Sequence, residues 1–118
     1  MSFRALFTTK SDDKQIETNL IEMAEDDLMP GDVTIDVEWS TVNYKDGLAL
    51  SGAPGIIQSY PMIGGIDLAG TVTSSEDARY KPGDKVLING WALSQTHFGG
   101  YAEKARVKSD WLIKVPDT

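Results

Sequence analysis

Period-two alternation of apolar and polar side chains dominates the chain. Its clearest stretch sets Val33, Ile35, Val37 and Trp39 against Thr34, Asp36, Glu38 and Ser40, which predicts a half-buried strand with Trp39 on the inner face. Pro30-Gly31 precedes it as a turn, and the acidic run Glu25 to Asp27 marks a solvated approach to that turn. Upstream, Phe3 to Thr8 and Gln15 to Ile21 read as two strands around the polar tip Ser11-Asp12-Asp13-Lys14. Downstream, Ile66 to Ser74 and Lys85 to Ile88 read as strands separated by the Lys81-Pro82-Gly83-Asp84 turn, with Gly70 marking a bulge or a close backbone approach. Tyr101 to Lys108 and Trp111 to Val115 complete the strands, the last stopped by Pro116.

Only Asn43 to Ser51 departs from this rhythm. Leu48 and Ala49 follow a polar tetrad, and Gly52-Ala53-Pro54-Gly55 closes the segment, which predicts a short helix. Short strands with regular turn signals and one or two short helices predict a mainly β domain, an antiparallel barrel or sandwich. Gly64-Gly65 and Gly99-Gly100 both lead into strands, so no glycine-rich dinucleotide fingerprint opens a helix.

Composition narrows the chemistry. With 118 residues, 41% of them hydrophobic, the chain suffices for one core and not for two domains. It carries no cysteine, which removes disulfides, thiolate ligands and a thiol nucleophile. A single histidine, His97, rules out a multi-histidine metal site. The net charge of −7 sets the average field against nucleic acid and anionic membrane. No apolar run approaches a membrane span and the start lacks a secretory pattern, so the expectation is a soluble, cytoplasmic protein.

Several residues merit attention for chemistry. Asn43 reads equally as an amide that orients a ligand and as a helix cap. Tyr44 offers a donor and an acceptor on a rigid ring. Lys45 and Asp46 read as a solvated pair, with local charge near a substrate as the alternative. Asp67 lies in an apolar strand, where a carboxylate needs hydrogen-bond partners and could otherwise handle protons. His97 reads as an exposed loop histidine or a general acid. Lys104, Arg106 and Lys108 alternate on one strand face, solvated or set to meet phosphates. Trp39, Trp91 and Trp111 read as packing residues, with Trp91 also a candidate for the wall of a substrate cleft.

The ordered set Asn43-Tyr44-Lys45-Asp46, Pro61 to Val72, Pro82-Gly83-Asp84-Lys85-Val86, Gly99-Gly100-Tyr101-Ala102-Glu103 and Asp110-Trp111-Leu112 resembles the medium-chain dehydrogenase/reductase superfamily. Within it the likeness is to the acryloyl-CoA reductase group, also labelled YhdH/YhfP-type quinone oxidoreductase. The resemblance implies that residues 1–118 form a GroES-like catalytic domain, a partly open β-barrel. A Rossmann domain carrying NADPH would follow in intact members, and the 118 residues alone would be inactive.

It further implies that Tyr44 contacts the cofactor and that the full-length protein is a homodimer, and Asn43, Lys45 and Trp91 are the candidates for the substrate cleft beside it. The substrate would be an enoyl-CoA or a quinone. A stand-alone binding module without catalysis is the alternative of another class. Zinc-dependent relatives carry a cysteine near the position of Tyr44 and a histidine-glutamate pair where this chain has Ile66-Asp67, so the expectation is no zinc. Relatives commonly carry proline at the position of Gly64, and its loss predicts a looser turn.

Overall fold

In the computed structural model, which describes residues 2–51 and 56–115, the chain forms two antiparallel sheets and one short helix. Strands β1 (Ser2–Lys10) and β2 (Ile16–Ala24) form a long hairpin, and β4 (Met62–Ile63) adds to the other edge of β1. The second sheet has the order β7-β3-β5-β6-β8, built from β3 (Val33–Trp39), β5 (Asp67–Ser75), β6 (Lys85–Asn89), β7 (Lys104–Val107) and β8 (Ile113–Lys114). Helix α1 spans Tyr44–Leu50. The expected stop at Gly52-Ala53-Pro54-Gly55 and the stop at Pro116 lie outside the described residues. No helix among the described residues is long and apolar enough to cross a membrane.

Residues 101–103 join the two sheets. Leu6 donates to the Tyr101 carbonyl at 2.9 Å, Glu103 to the Arg4 carbonyl at 2.9 Å, and Val37 to the Glu103 carbonyl at 2.8 Å. The sheets therefore share an edge without closing a barrel, in keeping with the partly open GroES-like form. This stitching corrects the expected strand from Tyr101: its first three residues divide their backbone bonds between two sheets, and the strand begins at Lys104. Similarly, the expected strand from Trp111 is a 3-10 turn over Ser109–Trp111 followed by the two residues of β8.

Two apolar clusters fill the interior. Ile35, Leu68, Val72, Val86, Ile88 and Leu93 centre one beneath the five-stranded sheet, and Phe3, Met23, Ala49, Met62, Ile63 and Phe98 centre the other beneath the three-stranded sheet. Gly70 has no room for a side chain, since a Cβ there would overlap the Asp36 carbonyl oxygen across the β3/β5 pair.

Thr34, expected on the polar face of β3, is buried at 4% between Val33 and Ile35, and a second departure from the alternation follows Val37. Val37 faces Gly70 but Trp39 faces Ala69, so Glu38 is an extra residue on this strand. One inserted residue inverts the facing of the positions after it. Trp39, expected inside, is 75% exposed. The bulged Glu38 is anchored on its neighbours: its carboxylate accepts from the Thr71 hydroxyl at 2.8 Å and from Lys85 at 3.0 Å, which hold it below the usual carboxylate range.

Candidate functional site

The bulge and the helix start deliver exposed apolar groups to one end of the five-stranded sheet. Trp39 is followed by Val42, 87% exposed, and by Tyr44, 84% exposed at the first position of α1. Beside Trp39 lies a shallow groove of about 170 Å³ floored by Leu68, Ala69, Leu87 and Ile88 and edged by Ser40, Thr41, Asp67 and Asn89. Large apolar groups at such exposure on a chain this polar mark a surface that meets another group.

Two carboxylates hold the loop between Trp39 and Tyr44. Asp67 accepts from the Thr41 hydroxyl at 2.6 Å, from the Thr41 amide at 3.0 Å and more weakly from the Ser40 hydroxyl at 3.4 Å. This is the structural arrangement a carboxylate in an apolar strand requires. Asp46 is 1% exposed. Its Oδ2 accepts from the Asn43 amide at 3.0 Å and the Asn43 side-chain nitrogen at 3.2 Å, while Oδ1 accepts from the Ile66 amide at 3.0 Å. The Asn43 side-chain nitrogen also donates to the Thr41 hydroxyl oxygen at 2.9 Å, linking the two carboxylate groups through one amide. Asn43 is thus the N-cap of α1, in a reciprocal capping box with Asp46.

Asp46 corrects the expectation of a solvated Lys45-Asp46 pair. Adjacent opposite charges pointed outward, yet only Lys45 is partly open to solvent while Asp46 turns inward to the Ile66 amide. The acid three residues after Asn43 is the capping-box signal in the sequence, and it carries no information on the Ile66 contact. Tyr101 is the other residue the pattern did not single out. Its hydroxyl donates to the Thr41 carbonyl at 2.9 Å, and burial together with nearby Asp46 and Asp67 pushes its phenol up to about 12.

The turn at Gly64 is held from across the chain by backbone hydrogen bonds. Gly99, Gly100 and Tyr101 donate to the carbonyls of Ile63, Gly65 and Gly64 at 2.7, 3.0 and 3.0 Å. Gly65 takes φ +96, a left-handed conformation that a side chain would strain, and a Cβ there would press on the Gly100 amide at 2.9 Å.

Trp91 stands apart from this constellation. It stacks on Trp111, with ring centroids 6.4 Å apart and planes 18° from parallel, and Lys108 lies over the Trp111 ring. His97 meets Trp111 edge-on and its Nε2 lies 2.6 Å from the Arg106 carbonyl oxygen. At 8% exposure His97 is not the open loop histidine expected from sequence, because the Trp111 indole covers it; burial pulls its pKa below 6.5. The expected stripe of three cations is dispersed as well. Lys104 pairs with Asp36 at 2.6 Å, the Arg106 Nε donates to the Thr34 hydroxyl at 3.0 Å, and Lys108 lies beyond the strand.

Residues 29–117 match the family described as the alcohol dehydrogenase GroES-like domain. The chain belongs to that family. It is 46% identical over 116 residues, 98% of its length, to the acrylyl-CoA reductase AcuI of Ruegeria pomeroyi, and those residues cover 35% of that relative. Two crystal structures are similar. The yhdH oxidoreductase from Salmonella enterica in complex with NADP has a TM-score of 0.92 and 47% identity over 99% of this chain. The Bacillus subtilis protein yhfP with NAD bound has a TM-score of 0.94 and 38% identity over 99%. The chain spans about a third of the length of each, 35%.

Proposed function

We propose that this domain forms one wall of the hydride-transfer cleft of a zinc-independent, NADPH-dependent medium-chain reductase acting on the C=C bond of an enoyl thioester such as acryloyl-CoA. A nucleotide-binding domain outside these 118 residues would form the other wall. The observation that carries the reading is the exposure of Trp39 at the wall of one apolar groove and of Tyr44 at the start of the helix that follows the Ser40-Thr41 edge of that groove. Similarity to a named acrylyl-CoA reductase and to a structure holding NADP supports the substrate and the cofactor.

The residues present suit a nicotinamide nucleotide at this rim. Tyr44 presents a phenol that donates and accepts, and the Trp39 indole with Ala69 and Leu87 offers a flat apolar surface from which water is excluded on contact. When bound, NADPH supplies the hydride that reaches the β-carbon of the enoyl group, with the α-carbon protonated afterwards. The protein's task is orientation: Asp67 and Asp46 fix the loop that carries Thr41, Asn43 and Tyr44, so that the surface is set before the reactants arrive. Zinc does not suit these residues. Ile66 has no donor side chain, cysteine is absent, and the Nε2 of the single histidine lies against the Arg106 carbonyl inside the domain.

The test is turnover by the intact protein. We expect acryloyl-CoA-dependent NADPH oxidation that survives chelation, falls in Tyr44→Ala, and exceeds the rate with a soluble quinone. Faster reduction of the quinone would favour the quinone reductase reading. No turnover with either acceptor would leave a binding module. The purified 118-residue chain should show no turnover.

A further inference from the structure

We infer that Asp46 is a positioning residue, the element that sets where Tyr44 and Asn43 stand relative to the groove. The inference rests on the assignment of Tyr44 to the cofactor and deepens it.

Capping does not account for Asp46. An N-terminal cap contributes modestly and can be supplied by an exposed side chain, whereas taking a carboxylate out of water is far more costly unless donors surround it. Asp46 is 1% exposed, and among the described residues it is paired with no cation. It is held by neutral donors alone, and one of them, the Ile66 amide, lies twenty residues away in sequence. That third bond does nothing for the helix end. It ties the first turn of α1 to the turn that opens β5, whose next residues, Asp67 and Leu68, border the groove.

The geometry makes one rigid unit of two short segments. Asp67 pins Thr41, Asp46 pins the Asn43 amide and the Ile66 amide, and the Asn43 side chain bridges Thr41 and Asp46. The exposed residues between Ser40 and Asp46 are thus flanked by the half-buried Asp67 and the buried Asp46. Without Oδ1 of Asp46, α1 keeps its cap but loses its fixed distance to the groove floor. An ångström-scale displacement of a ligand-contacting group is enough to weaken binding severalfold or more.

Asp46→Asn in the intact protein is the discriminating variant. It keeps the volume but replaces one acceptor by an amide nitrogen, which must face either the Ile66 or the Asn43 amide hydrogen. NADPH binding is followed by nicotinamide fluorescence, and folding by thermal melts. We expect NADPH affinity to fall about tenfold, the effect of one or two kcal/mol of misplaced contact. In a Tyr44→Ala background the same substitution should change affinity less than twofold. Asp32→Asn, at the far end of the sheet, serves as a control that lowers the melting temperature and leaves NADPH affinity unchanged.

If Asp46→Asn melts earlier yet binds NADPH as the parent does while Tyr44→Ala binds weakly, the positioning role is wrong and the Tyr44 assignment stands. If the losses from the two substitutions simply multiply, Asp46 does not act through Tyr44 and the inference is overturned. If Tyr44→Ala binds normally, the cofactor assignment and this inference fail together. Should Asp46→Asn not fold, Asn43→Gly removes the side-chain bridge with little cost to the cap. It should weaken NADPH binding about threefold, and unchanged binding would count against the role.

Discussion

Two polar clusters, each centred on one buried side chain, Ser109 or Asp46, sit at opposite ends of the five-stranded sheet and are built differently. Around Ser109, the hydroxyl contacts Asp32 at 2.8 Å and Asp77 at 2.6 Å, the Ser109 amide donates to Asp32 at 2.7 Å, and Arg79 bridges Asp77 and Asp110 at 2.7 and 2.9 Å. A cation completes that cluster. Around Asn43, two carboxylates accept from amides and hydroxyls alone, and exposed aromatic groups crown the loop they hold. The first cluster is closed on itself and fastens the turns at its end of the domain. The second holds its carboxylates without any cation among the described residues, beneath an exposed apolar surface. Satisfied hydrogen bonds are common to both, so satisfaction alone does not separate structure from function. The difference lies in the presence of an internal counter-charge and in the groups that the neighbouring surface exposes.

Removing the closed cluster should have the largest effect on folding. Asp32→Ala leaves the Ser109 amide without its acceptor and should cost about 2 kcal/mol in urea denaturation, with NADPH binding by the intact protein preserved. A loss of binding would erase the distinction between the two ends.

The next effect is a dependence on acid. Arg79, then Ser109, hold the Asp77 carboxyl far below its ordinary value, so its contribution to stability is present above that value and declines as pH falls through the acid range. Asp77→Asn should flatten the acid limb of a denaturation profile. An unchanged limb would mean that Arg79 does not close the cluster in solution.

A milder dependence should come from His97. Its folded pKa lies below 6.5, so the unfolded chain binds the proton first: the contribution is complete above about 6.5 and is lost as pH falls below it. Tryptophan emission should report the change through Trp111, which packs on the ring. Smallest of all, Trp39→Ser should leave stability within about 0.5 kcal/mol because the indole is exposed, while weakening NADPH binding by the intact protein. A large loss of stability would place Trp39 among the packing residues after all.

Legibility in the sequence depended on how local each cause is. The strand from Val33 to Val37, the helix after Asn43 and the turn before Lys85 depend on neighbours within a few residues, and all three appear in the structure. The direction of Trp39 depends on a bulge, which leaves the alternating pattern intact and shows only when the partner strand is aligned. The burial of Asp46 depends on an amide at Ile66, and that of His97 on the Trp111 ring, contacts that no spacing rule reaches. Asn43, Tyr44 and Asp67 do come together at one end, while Trp91 joins a separate aromatic stack.

The extra residue in β3 gives the domain an economical handle for change. Deleting Glu38 would set Trp39 directly after Val37, still opposite Ala69 and still facing outward, while removing the carboxylate that Thr71 and Lys85 bind. A single-codon deletion would thereby straighten the strand and keep its aromatic platform, whereas an insertion or deletion at any unbulged position of β3 would invert every residue beyond it.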